Sequence, residues 1–97
     1  MANGTGTLTF DFGSAPGTNV ATTTGVTATG MSATSKVEIY LDGTDSTATH
    51  NAYEHLLVEL GGLSMKPTAK TTNSFNAMAA TTLRLTGTFT ARFVWAD

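Results

Sequence analysis

The stretch Thr86-Gly87-Thr88-Phe89-Thr90-Ala91-Arg92-Phe93-Val94-Trp95-Ala96-Asp97 decides the fold class. Phe89, Ala91, Phe93 and Trp95 fall on one side of an extended chain, and Thr88, Thr90, Arg92 and Val94 on the other. Alternation of period two marks a strand with one buried face. The aromatic side carries the larger apolar area, so it is the side expected to face a core or a subunit interface rather than to stack on sugars. Upstream, Leu83 and Leu85 share one face of a second extended segment, Thr82–Thr86. Gly87 stands between the two as a bend or bulge.

Working outward, Ser35–Leu41 alternates again. Val37, Ile39 and Leu41 point one way, Lys36, Glu38 and Tyr40 the other, and Asp42-Gly43 supplies turn chemistry after it. Thr7–Phe12 places Leu8, Phe10 and Phe12 on one face, and the loop Gly13–Gly17 follows. Thr18–Thr29 is a Thr/Val/Ala run with Gly25 as a bulge or kink. Leu63–Ala69 reads as a strand that Pro67 confines to a sheet edge or a bulge. Phe75–Ala80 is a further strand after the loop Thr71–Ser74.

The segment Ala52–Leu60 is ambiguous. Tyr53, Leu56, Leu57 and Leu60 fit the i, i+3, i+4, i+7 spacing of a helix that Asn51 would cap. Leu56-Leu57-Val58 equally suits a buried strand, and the reading adopted is a helical turn at Asn51–Glu54 followed by a strand to Leu60. About seven to eight short strands at this spacing predict an all-β domain, a small β-sandwich or jelly-roll-like fold. Residues 1–5 are expected to form a flexible N-terminal arm and residues 6–97 a single β domain. The expected core is Phe10, Phe12, Val37, Ile39, Leu41, Leu57, Leu85, Phe89, Phe93 and Trp95, with the methionines as gap-fillers.

Composition narrows the function classes. Only 12% of the 97 residues are charged, the net charge is -2, and Thr makes up about a fifth of the chain. No basic footprint for nucleic acid is present, and no run approaches the length of a membrane helix. The absence of cysteine removes disulfides and thiolate metal sites. A domain of this size gains little from its own core, so partner copies are the expected source of further buried area. No signal peptide stands at the N-terminus, which predicts synthesis and folding in a cytoplasm.

Chemistry-bearing residues cluster between Asp45 and His55. His50 and His55 lie five apart, with Glu54 before the second, which departs from the helical zinc-binding pattern. No Ser sits in a nucleophile-elbow context, and no Gly-rich phosphate loop or calcium loop is present. No catalytic residue, cofactor or metal is therefore expected. Arg84 and Arg92 are candidates for pairing with Glu38, Glu54 or Glu59, within the chain or between subunits. Asp45, His50, Asn51, Tyr53, Glu54, His55, Arg84 and Arg92 are the candidate interface residues, and partner contacts are assigned to the arm and the loop Asp42–Tyr53.

Four stretches carry a resemblance: Phe10–Asn19, Val37-Glu38, Asp45–His55 and Leu85–Trp95. Together they resemble short structural proteins of tailed bacteriophages, although the spacing of Asp45 and Thr47 before His50 departs from that pattern. The resemblance implies a virion protein, similar in size and character to capsid decoration (cement) proteins. It implies a homotrimer on the outer capsid surface, with the major capsid protein as partner and no nucleic acid or membrane bound. A tail or fibre component that binds a host glycan is the alternative, and a small hydrolase is a third.

Overall fold

The computed structural model describes residues 2–42 and 44–97, and of Leu83 the backbone only. Met1, Gly43 of the expected turn and the Leu83 side chain lie outside that description. Chain order gives β1 (Asn3–Asp11), β2 (Thr18–Thr27), β3 (Lys36–Tyr40), α1 (Ala52–Leu60), β4 (Ser64–Thr71), β5 (Ser74–Leu85) and β6 (Thr88–Ala96). The strands form two antiparallel sheets, ordered β1-β6-β3 and β2-β5-β4. Their inner faces meet in one core, which makes the fold a small β-sandwich.

β6 is the centre of the first sheet, and its alternation does what the sequence predicts. Phe89, Ala91, Phe93 and Trp95 are buried, and Phe93 meets Phe75 of the opposite sheet edge-to-face at 4.9 Å between centroids. The neighbouring strand makes room for these rings with glycines. Gly4 pairs with Trp95 and Gly6 with Phe93. A β-carbon built on Gly6 would stand 2.5 Å from Phe93 Cζ, and one on Gly4 2.5 Å from Trp95 Nε1. The rings therefore lie over bare backbone, a use of strand glycine that a close approach requires.

Gly25 and Pro67 behave as their chemistry demands. The β2–β5 register shifts between Thr23 and Val26, where Gly25 has φ +67°, and the buried positions change from odd to even across it. β4 is an edge strand whose register shifts between Pro67 and Ala69. Gly87, at φ +75°, is a corner rather than a bulge: β5 before it belongs to one sheet and β6 after it to the other. The two expected segments run together as β5, which ends at Leu85 and leaves Thr86 outside, with pairing to β2 jumping from Leu85↔Thr18 to Ala80↔Val20.

Three expectations are corrected. The expected arm is strand from Asn3 onward, paired through Thr5 with Ala96 to Val94, and Asp97 N–H donates to Ala2 O at 3.1 Å. The strand expected at His55–Leu60 is the second half of α1. Asn51 and Glu54 close a capping box at its start: Glu54 N–H donates to Asn51 Oδ1 and Asn51 N–H to Glu54 Oε1, both at 2.9 Å. Two satisfied terminal donors tip an ambiguous apolar run to helix. Leu57 consequently leaves the expected core for a half-exposed position, while His55 is fully buried and Val58 packs against the core. Val37, Ile39 and Leu85 are partly buried against it. Met31 and Met65 are core residues, and Met78 is exposed.

The glycine–ring contacts generate a prediction. Gly6→Val drives a side chain into Phe93, and overpacking of this kind costs about 1–3 kcal/mol. The midpoint of urea unfolding should fall accordingly, with Thr9→Val, exposed on the same strand, leaving it nearly unchanged.

Candidate functional site

β3 covers one edge of β6 only from Ala96 to Arg92, where it ends at Tyr40. Beyond that point Thr90 and Thr88, both partly exposed, and Thr86, exposed, lie past the end of β3, and their backbone groups bond to side chains instead. The segment between β3 and α1, with His55 of α1 itself, supplies those side chains. Thr90 N–H donates to His55 Nε2 at 2.9 Å. Thr88 N–H donates to Thr49 Oγ1 at 2.9 Å, and Thr47 Oγ1 donates to Thr88 O at 2.8 Å. His50 Nε2 donates to Thr86 O.

These bonds fix both imidazoles. His55 Nε2 accepts, so its hydrogen is on Nδ1, which donates to Asn51 O at 2.9 Å. His50 carries its hydrogen on Nε2 and stacks on Phe89 at 4.0 Å and 14°. His50 Nδ1 is buried, 3.5 Å from Glu54 Oε2, with no closer partner. Gly87 allows the approach, since a β-carbon there would meet Thr49 Oγ1 at 2.6 Å.

An ion pair closes the same segment on its outer side. Arg92 donates from Nε to Asp45 Oδ2 at 2.9 Å and from Nη2 to Asp45 Oδ1 at 2.7 Å. The fork-to-fork bond to Asp45, with Asp42 3.8 Å from Nε, holds the guanidinium proton above its already high ordinary range. Arg92 thus pairs with Asp45 rather than with Glu38, Glu54 or Glu59. Asp42 is itself held below its ordinary 3.8, first by the Thr44 backbone N–H and then by the Thr44 hydroxyl.

Of the eight candidate interface residues, six therefore have roles inside the chain: Asp45, His50, Asn51, Glu54, His55 and Arg92. Arg84 is exposed on β5 and makes no ion pair among the described residues. Tyr53 is exposed, and it does not stand alone. Burying His55 turns the opposite side of α1 outward, so that Tyr53, Leu56, Leu57 and Leu60 are 60, 42, 51 and 75% exposed. These four are the helical stripe legible in the sequence, facing solvent instead of core. A groove of about 200 Å³ adjoins it, lined by Leu57, Val58, Gly61, Thr81 and Leu85. A shallower depression of about 440 Å³ lies over β1, β6 and β3 and includes Thr5, Lys36, Glu38 and Val94.

No Ser hydroxyl is hydrogen-bonded to either histidine ring among the described residues. Nor does any group of three or more His, Asp or Glu there converge as a metal site, and no helix among them is long and apolar enough to cross a membrane. Family models, curated proteins and solved structures offer no match to this chain.

Two predictions follow from the seam between this segment and β6. His55→Ala orphans the Thr90 N–H, a loss of about 1–3 kcal/mol from the unmet donor alone. Amide exchange at Thr90 should accelerate, while His55→Asn, which restores a short acceptor, recovers part of the protection. Glu54 is held below its ordinary 4.5, first by the Asn51 backbone N–H, against an opposing effect of desolvation. Its contribution is complete above 4.5 and is lost as pH falls through the lower folded value. The helical circular-dichroism signal should fade on acidification below 4.5, and Glu54→Gln should blunt that dependence.

Proposed function

We propose that this chain is a non-catalytic structural protein of a bacteriophage virion, a decoration protein that binds the outer capsid surface as a trimer and stabilises the shell. The outward apolar stripe of α1 carries the assembly part of this reading. Exposed apolar patches on small soluble domains are characteristic of protein contact sites. The non-catalytic reading is supported by three side chains: both imidazoles bond to backbone groups, and Asp45 is bonded to Arg92. The resemblance of Phe10–Asn19, Asp45–His55 and Leu85–Trp95 to tailed-phage structural proteins supports the virion as the setting.

The surface is suited to repeated contacts. It is rich in hydroxyls and poor in charge, so one contact is weak, and many identical contacts add through avidity. Closed symmetry also covers the strand edges of β4 and β2 that invite unwanted pairing.

Light scattering of the purified chain, followed by mixing with shells that lack it, tests the proposal. The expected outcome is a trimer that binds the shells and raises their melting temperature. A chain that leaves shell binding and shell melting unchanged at saturating concentration sinks the decoration reading.

A further inference from the structure

We infer that the α1 stripe and the groove beside it form the contact between copies of this chain, with Leu60 of one copy seated in the groove of another. The inference rests on the assembly part of the functional reading and is independent of the capsid.

The chemistry of the patch selects its occupant. Tyr53, Leu56, Leu57 and Leu60 carry no charge, and each of the two carboxylates of α1 is hydrogen-bonded within its own chain, although Glu54 stays half-exposed. Glu54 accepts from the Asn51 backbone N–H at 2.9 Å, and Glu59 Oε2 from the Leu41 N–H at 3.4 Å. A partner surface must therefore be apolar and uncharged. The stripe is such a surface, and every copy carries one.

Shape points the same way. Leu60 is the most exposed of the large apolar side chains described, and it directly precedes Gly61 on the groove wall. A groove of about 200 Å³ has room for a leucine side chain. Knob and receptor stand side by side on one molecule, which is the self-complementarity that contact between identical copies requires. A partner of different sequence would need only one of the two.

Area sets the strength. The four exposed side chains leave on the order of 400 Å² uncovered, the size of the largest patch on a typical monomer. A standard stable interface buries about 800 Å² per partner, so the stripe alone supplies about half of one. Association is accordingly expected to be concentration-dependent.

Sedimentation velocity of the full chain over a wide concentration range tests this, with circular dichroism confirming that each variant is folded. Leu60→Ser and Leu57→Ser should each raise the dissociation constant at least tenfold, and Lys66→Ser on β4 should not. Because the chain has no cysteine, single-cysteine variants report proximity directly. Mixed Leu60→Cys and Leu57→Cys chains should form intermolecular disulfides on oxidation faster than Lys66→Cys chains do.

A chain that stays monomeric at all concentrations overturns the inference, as does an oligomer that Leu60→Ser and Leu57→Ser leave intact. Shell binding by the same variants separates the two readings. An oligomer dissolved by Leu60→Ser that ignores shells supports the copy–copy contact and overturns the decoration role. An intact oligomer whose shell binding is lost in Leu60→Ser overturns the inference and assigns the stripe to the capsid.

Discussion

The unpaired half-edge of β6 is the constraint on which the rest of this structure depends. β6 is central to its sheet, but β3 accompanies it only from Ala96 to Arg92. The peptide groups of Thr90, Thr88 and Thr86 then need partners that no strand provides. Side chains of Thr47, Thr49, His50 and His55 fill that role, each bonded to β6 or to the corner before it. The connection from β3 to α1 is laid along this edge as a surrogate strand, and Arg92–Asp45 pins its outer side.

That constraint orients the helix. His55 must reach the Thr90 N–H, so its side of α1 faces the sandwich. A helix offers its core only one side, and here a polar ring with two hydrogen bonds occupies it. Val58 supplies the apolar packing next to it. The leucine-rich stripe is left facing water, although on apolarity alone it would be the buried face. His55 meanwhile bridges Asn51 O and the Thr90 N–H, which fixes the side of α1 that faces the sandwich.

The sandwich itself was legible because its strands obey period two. The Phe89–Trp95 alternation, the Val37–Leu41 alternation, the Gly25 bulge and the edge position of Pro67 all express local chemistry, and local chemistry is written in sequence. Sheet membership was not legible. Nothing at Gly87 distinguishes a bulge from a corner between sheets, because either needs the same positive φ. The first strand is not legible at its start, because Asn3–Thr5 looks like small polar filler, whereas Gly4 belongs under a tryptophan ring ninety-one residues away in the chain, and Gly6 under a phenylalanine. At α1, Asn51 as cap and the stripe spacing were both visible. Which face would be buried was decided by the free edge of β6, a tertiary fact.

The same reasoning explains why so many conspicuous polar residues proved internal. Histidine, aspartate and arginine stand out in a chain this poor in charge, and they invite assignment to a site. In a sandwich with an incomplete edge the two histidines, with Thr47 and Thr49, are substitutes for a missing strand, and the Arg92–Asp45 pair pins the segment that carries them. The stripe that α1 turns outward is uncharged. Specificity on such a surface comes from shape and from exclusion of unmatched polar groups rather than from charge pairing. A leucine beside a leucine-lined groove, repeated on every copy, is the simplest arrangement of that kind, and it exists because α1 had to turn its histidine inward.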